Sequence, residues 1–207
     1  MEPLRLIVYS DYLCPWCYLG TVRLNRIGAE FGARVQFEWH SFLLRPQPDP
    51  RRTLEQFRAY TQSWQRVAAE PDAPAFRVWQ GDAGPPSHSL PPHLAAKAAA
   101  RLGAEAFQRM HAALLRAYFT ENRNITDRET LLAVWCELNL PQDAFSYVDD
   151  PGLLQETTAQ YHEALEHGIG GVPAIRVPGR AGALIGAQPV ETLGHWINRL
   201  LSLSASA

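Results

Sequence analysis

The sequence predicts an α/β fold in which a large helical insertion interrupts a small sheet. A strand, a helix and a second strand follow one another at the N-terminus, which is typical of a βαβ unit. A long stretch of helical pattern then separates this unit from a C-terminal hairpin and a last helix. We therefore predict a discontinuous core formed by residues 1–47 and 169–207, and a helical insert formed by residues 48–168.

The N-terminal unit begins with an apolar run. Apolar and polar residues alternate little in Leu4–Ser10, which is typical of a buried central strand. Apolar residues recur near helical spacing in Pro15–Phe31, and Gly32 can end that helix. Apolar and polar residues then alternate in Val35–His40, which indicates a half-exposed strand.

The insert begins with a proline-rich segment, Leu44–Pro50, that leaves the sheet. Thr53 and Gln56 have the spacing of a capping box, which predicts a helix through Val67. Proline and glycine then predict a loop over Asp72–Pro92.

The rest of the chain returns from helices to strands. Thr126 with Glu129 predicts a second capping box, and Asp150 before Pro151 predicts a helix N-cap. The predicted elements are helices over 93–102, 104–119, 126–138 and 150–167, strands over 174–177 and 183–185, and a last helix from 188 to 200.

Composition excludes several classes of partner. The 207 residues are 46% hydrophobic and 19% charged, with a formal net charge of -2 and no basic stripe. A nucleic-acid partner is therefore not expected. The N-terminus lacks the pattern of a secretory signal, and no apolar run is long enough to span a membrane. We expect a cytoplasmic protein, monomeric or homodimeric, without a membrane partner.

The candidate reactive centre is Cys14-Pro15-Trp16-Cys17, at the junction of the first strand and the first helix. The helix N-terminus favours the thiolate of Cys14, and Pro15 fits a first helical turn. Cys17 lies one turn further in and is expected to be more shielded. This separates the roles: Cys14 attacks a disulfide and Cys17 resolves the mixed disulfide. Pro15 and Trp16 are predicted to form the substrate surface beside them.

Two other interpretations of the cysteine pair are a zinc knuckle and structural thiols. Zinc requires about four ligands, and the only other cysteine is Cys136. We therefore predict no metal site. We interpret Cys136 as a buried small apolar residue, with a third redox thiol as the alternative. Asp11 is interpreted either as a proton relay to the cysteines or as a turn or cap residue. His93 either lines the cleft or packs against its neighbours.

The second signal is Gly170-Gly171-Val172-Pro173, directly before the return strand. A cis Pro173 would lie against the sulfur atoms and leave the backbone of Val172 free to pair with an extended substrate. An ordinary turn proline is the alternative. The cysteine pair and the following hairpin favour the cis interpretation.

Three segments resemble a known family. Ser10–Gly20, Gly171–Pro173 and Gly186–Gln188 are similar to the DsbA family of the thioredoxin superfamily, and most of all to its cytosolic FrnE-like branch. The resemblance implies a thioredoxin fold with a helical insertion, and thiol–disulfide exchange with protein or small-molecule thiols. It also implies that the redox-active cysteines replace any bound cofactor, with Cys14 as nucleophile, Cys17 as resolving cysteine and Pro173 as cis-proline.

The same superfamily includes kappa-class glutathione transferases and 2-hydroxychromene-2-carboxylate isomerases, which the insert and the last loop also resemble. Those enzymes typically carry serine in place of the first cysteine, so Cys14 speaks against that class. Gln188 and the amides at the start of the last helix could nevertheless bind a glutathione carboxylate. Glutathione is thus a possible co-substrate, and a plain N-cap is the alternative role of Gln188.

Overall fold

The computed structural model describes residues 2–205, and its centre is a four-stranded mixed sheet. The strands are β1 (Leu4–Ser10), β2 (Val35–Ser41), β3 (Ala174–Arg176) and β4 (Leu184–Ile185), in the order β2-β1-β3-β4. β1 is parallel to β2 and antiparallel to β3, and β3 is antiparallel to β4. The predicted α/β fold is therefore confirmed.

Both faces of the sheet are covered by helices. On one face, Leu6 and Val8 of β1 pack with Ile27 of α1 (Pro15–Phe31) and Ile197 of α8 (Val190–Ala205). On the other face, a second cluster joins the sheet to the helix that precedes β3. Because β1 is buried on both sides, it carries the apolar run that the sequence shows.

The helical part of the chain lies between β2 and β3. It contains α2 (Leu54–Thr61), α3 (Trp64–Ala68), α4 (Leu90–Ala100), α5 (Ala104–Phe119), α6 (Arg128–Glu137) and α7 (Pro151–Glu166). Short 3-10 helices span Gly32–Arg34 and Asp143–Asp149, and the second of these was not predicted. Within residues 2–205, no helix combines the length and the apolar character that crossing a bilayer requires.

The helix predicted through Val67 is two helices instead of one. The capping box of Thr53 and Gln56 is present, so the start was correct. α2 ends at Thr61, whose hydroxyl donates to the carbonyl of Arg58 and accepts from the amide of Trp79. This tertiary contact, absent from any local pattern, marks the end of α2.

The capping box predicted at Thr126 is wrong. The N-cap of α6 is Asp127, because Asn124 accepts hydrogen bonds from both the amide and the hydroxyl of Thr126.

The start of α4 was also predicted too late in the chain. α4 begins at Leu90 and takes two prolines into its first turn, where a missing N–H costs no hydrogen bond.

The insert has its own aromatic core, and this core reaches the β1–α1 loop. Its largest buried aromatic residues are Phe57, Trp64, Trp79, Tyr118, Phe119 and Trp135. Tyr12 and Leu13, which directly precede Cys14, belong to the same cluster. The insert is therefore packed against the loop that carries the candidate site.

Candidate active site

The two cysteines lie on the first turn of α1. Cys14 is the N-cap residue with an extended backbone, and Pro15 opens the helix. The carbonyl of Cys14 accepts from the amides of Cys17 at 3.0 Å and of Tyr18 at 3.3 Å. The Cys14 amide donates to the carbonyl of Asp11 at 3.2 Å, which closes the preceding turn. The backbone thus holds both cysteines on one helical turn.

The environments of the two thiols differ. Both are unbonded thiols, and Cys17 is 1% exposed whereas Cys14 is 5% exposed. Burial raises the pKa of the Cys17 thiol well above its usual range, and the neighbouring Cys14 thiol adds to this shift. The amide of Asp11 lies 3.5 Å from the Cys17 sulfur and donates to it. Cys14 is therefore the member of the pair nearer to solvent.

The loop before β3 lies directly against Cys14. The Val172–Pro173 peptide bond is cis. The Cys14 thiol donates to the carbonyl oxygen of Val172 at 3.3 Å. At Gly20, a Cβ atom would lie 3.1 Å from Cγ of Pro173, so glycine permits the close approach of α1 to this loop. The structure thus brings the cysteines, Val172 and Pro173 together.

The other predicted site residues flank this centre. Pro15 and Trp16, the predicted substrate surface, are both half-buried. The side-chain amide of Gln188 donates to the carbonyl of Ile185 at 2.7 Å. Gln188 therefore closes the loop before α8, and it lines a small cavity together with Pro173. Cys136 lies on α6, where it is half-buried instead of buried and accepts from the side chain of Gln142.

Asp11 is a buried carboxylate that ties two loops together. Its oxygens accept from the amide of Leu13 at 2.6 Å and from the amide of Leu44 at 2.7 Å. Burial raises the pKa of Asp11 to about 6, although these hydrogen bonds act in the opposite direction. These contacts show the turn role, which is one of the two interpretations given for Asp11 from the sequence.

A buried polar network behind Cys17 was not found from the sequence. The Thr21 hydroxyl donates to the carbonyl of Cys17 at 3.0 Å, so it can only accept from Nε2 of His111. Nδ1 of His111 then accepts from the Tyr12 hydroxyl at 2.8 Å. Burial lowers the pKa of His111 to about 3, which keeps the ring neutral. His93 is likewise buried: its ring donates to the carbonyl of Phe42, and it borders a small cavity together with Tyr12 and His111.

Comparison with known proteins identifies relatives over nearly the whole chain. A family model described as DSBA-like thioredoxin domain matches residues 5–198. YwbO of Bacillus subtilis (strain 168) is 28% identical over 185 residues, which cover 84% of this chain and 90% of that protein.

The solved structures that share the fold include the following two. The cytosolic disulfide reductase DsbM from Pseudomonas aeruginosa is 25% identical, with a TM-score of 0.76 over 97% of this chain and 100% of that chain. A 2-hydroxychromene-2-carboxylate isomerase is 19% identical, with a TM-score of 0.68 over 98% of each chain. The isomerase shows the fold alone. The predicted thioredoxin fold is confirmed by these matches.

Proposed function

Since the chain belongs to the family of DsbA-like thioredoxin domains, we propose that it catalyses thiol–disulfide exchange through Cys14 and Cys17. The observation that carries the proposal is the placement of both thiols on the first turn of α1, with Val172 against Cys14. Protein or small-molecule disulfides are the substrates.

The reaction needs no group beyond the two thiols and the substrate disulfide. Cys14, as thiolate, attacks one sulfur of the substrate, so that the substrate S–S bond breaks, one thiolate leaves and a mixed disulfide forms. Cys17, after losing its proton, attacks the Cys14 sulfur and releases the second thiolate. The substrate gains two electrons, and the enzyme is left with a Cys14–Cys17 disulfide. A thiol reductant such as dithiothreitol restores the dithiol.

The environment of Cys17 supports this division of roles. Its raised pKa keeps it protonated while Cys14 attacks, which prevents both thiols from competing for the same substrate. Once Cys14 has formed a mixed disulfide, its thiol no longer raises the pKa of Cys17. The Asp11 amide, 3.5 Å from the Cys17 sulfur, is then positioned to stabilise the second thiolate.

The neighbouring structures favour a cytoplasmic reductase that also uses glutathione. DsbM is named a cytosolic disulfide reductase, and a second structure of DsbM contains GSH. On this basis we place the protein in the cytoplasm, with glutathione among its thiol partners. No further cofactor is part of the proposal.

Reduction of insulin by dithiothreitol tests the proposed function. The wild type is expected to accelerate precipitation of the insulin B chain, and Cys14→Ser is expected to abolish the acceleration because no nucleophile remains. Cys136→Ser is the matched control, since Cys136 lies on α6 and not on the turn that carries Cys14 and Cys17. Equal acceleration by wild type and Cys14→Ser rejects the proposal.

The second candidate function is a glutathione-dependent isomerase or transferase. The specific observation is the full-length match in fold to the 2-hydroxychromene-2-carboxylate isomerase. In such an enzyme Cys17 has no resolving role, so glutathione binding and turnover of a small aromatic substrate should survive Cys17→Ala. Loss of activity in Cys17→Ala, with insulin as substrate, favours the exchange reaction instead.

A further inference from the structure

Two arginines close to the candidate site, Arg45 and Arg52, form no salt bridge within the described residues, although the charge of Arg45 acts on the carboxylates of Asp11 and Asp49. Neither guanidinium is within salt-bridge distance of a carboxylate anywhere in the described range 2–205, whereas neighbouring Arg51 is paired with Asp49 at 3.2 Å. Both Arg45 and Arg52 are half-buried, so their charges are not simply dispersed in water. We call these two residues the arginine pair.

The backbone fixes Arg45 beside the active-site loop. Leu44, the preceding residue, donates its amide to the Asp11 carboxylate at 2.7 Å. The carbonyl of Asp11 in turn accepts from the amide of Cys14 at 3.2 Å. On its other side, the carbonyl of Arg45 accepts from the amide of Ser89 at 2.8 Å, and the amide of Arg45 donates to the Ser89 hydroxyl at 3.0 Å.

Arg52 is held by aromatic rings instead of by an acid. Its guanidinium lies 4.4 Å from the ring centroid of Phe57 and 5.4 Å from that of Tyr60. Its one hydrogen bond within the described residues is a long one, 3.4 Å to the carbonyl of Pro86. Stacking occupies the face of the guanidinium and leaves N–H groups at its edge for an incoming acceptor.

The charges of this surface act on one another and on Tyr60. The pKa of Arg52 is lowered, first by burial and then by the charge of Arg45. The pKa of Tyr60 is raised by burial and by the charge of Cys14, and the two arginines act against that shift. Tyr60 therefore lies within electrostatic range of Cys14 on one side and of both arginines on the other.

We propose that the arginine pair is a subsite for a carboxylate of the disulfide that Cys14 attacks, and that the substrate is a small peptide disulfide with free carboxylates, of which glutathione disulfide is the accessible example. A small substrate is favoured because Cys14 is only 5% exposed, so a narrow approach is required. Guanidinium N–H groups match a carboxylate in geometry as well as charge. The inference rests on the proposed exchange reaction.

The test compares a charged and an uncharged disulfide. Reduced wild type, Arg45→Gln, Arg52→Gln and the control Arg51→Gln are mixed with glutathione disulfide or with 2-hydroxyethyl disulfide, and the formation of oxidised enzyme is timed by acid quenching and mass analysis. For Arg45→Gln and Arg52→Gln, the rate constant with glutathione disulfide should fall about tenfold more than that with 2-hydroxyethyl disulfide. For Arg51→Gln, the ratio of the two rate constants should equal that of wild type.

The rate of the wild type with glutathione disulfide should also fall as salt is added, and this dependence should weaken in both variants. Equal losses with both disulfides would mean that the arginines only support the fold, and the proposal would be rejected. A loss of rate with insulin that is not seen with glutathione disulfide would assign the arginine pair to a protein substrate. The proposal would then also be rejected. Wild-type enzyme that neither disulfide oxidises would defeat the exchange reaction itself, which is a separate outcome.

Discussion

At the scale of single residues, Asp11 connects the candidate site to the rest of the molecule. Its backbone contacts both cysteines, through the Cys14 amide and the Cys17 sulfur, while its carboxylate holds the amides of Leu13 and Leu44. The carboxylate is fully buried, and burial is the largest cause of its raised pKa of about 6. The Asp11 carboxylate is thus held in a poorly solvated position, where its hydrogen bonds order two loops.

The raised pKa of Asp11 predicts a distinct pH dependence of stability. The pKa of an unfolded aspartate is about 3.9, so between about pH 4 and pH 6 the native state holds a proton that the unfolded state has lost. The stability contributed by this group is therefore full below pH 4 and is lost as the pH rises through 6. The difference in unfolding free energy, wild type minus Asp11→Asn, should fall by about 2 kcal/mol between pH 4 and pH 7.

Urea unfolding at a series of pH values measures this difference, and the titration of the Asp11 carboxyl carbon by NMR checks it in the wild type alone. Parallel stability curves for the two proteins, or an NMR midpoint near pH 4, would contradict the assignment. The NMR measurement keeps the prediction testable if Asp11→Asn folds poorly.

The site residues that the sequence revealed are those whose chemistry is local. Cys14 and Cys17 are three positions apart, and Pro173 follows a glycine-rich turn next to a strand. The arginine pair and His111 gave no comparable signal. Arg52 reaches the site only because Phe57 and Tyr60 present their rings to it, and His111 lies 90 residues from Thr21 in the chain.

At the scale of elements, Arg23 of α1 joins three parts of the chain. It donates to Asp72 and Glu70, in the segment after α3, and to the carbonyl of Ala187 before α8. Its side chain is only 4% exposed, so its charge depends on these partners for compensation. Gln188, beside the cavity at Pro173, follows Ala187 directly and is positioned through this contact.

Asp72→Ala should therefore lower the free energy of unfolding by about 3 kcal/mol at pH 7, because it leaves a buried guanidinium incompletely paired. The pKa of Asp72 is lowered by Arg23, so this contribution is present above the unfolded pKa and is lost as the pH falls through the lowered value. Urea unfolding of both proteins at neutral and acidic pH measures the effect.

Arg5→Ala is the control for Asp72→Ala. Arg5 and Glu38 pair across β1 and β2, but the side chain of Arg5 is 57% exposed. The exposed pair should contribute much less to the free energy of unfolding than the buried Arg23–Asp72 pair, because solvent screens it. Equal effects of the two substitutions would show that the burial of Arg23 does not govern the strength of its pairing.

Local chemistry also explains which element boundaries were predictable. Thr53 and Asp150 cap their own helices with their side chains, so the sequence placed both starts correctly. At Thr126 the same type of signal failed because Asn124 competes for its amide and hydroxyl. The end of α2 was missed because Thr61 is bonded to a residue 18 positions away.

At the scale of the whole molecule, the aromatic cluster makes the helical insert and the active-site loop one packing unit. Leu13 is 5% exposed within that cluster and directly precedes Cys14. Cys17, on the same turn as Cys14, is 1% exposed, and its carbonyl accepts from Thr21 of the network that Tyr12 and His111 complete. Loss of the insert core should therefore expose the candidate site at the same time.

We accordingly expect urea unfolding to show one transition, in which tryptophan fluorescence and the rate of Cys17 alkylation change with the same midpoint. Trp64, Trp79 and Trp135 report the insert once the core residues Trp16, Trp39 and Trp196 are replaced by phenylalanine, whereas Cys17 reports the core. Leu13→Ala should lower the unfolding free energy by about 2–4 kcal/mol and shift both probes together. Two separate midpoints, with Cys17 becoming reactive while the insert tryptophans remain buried, would show that the insert and the thioredoxin core unfold independently despite their shared cluster.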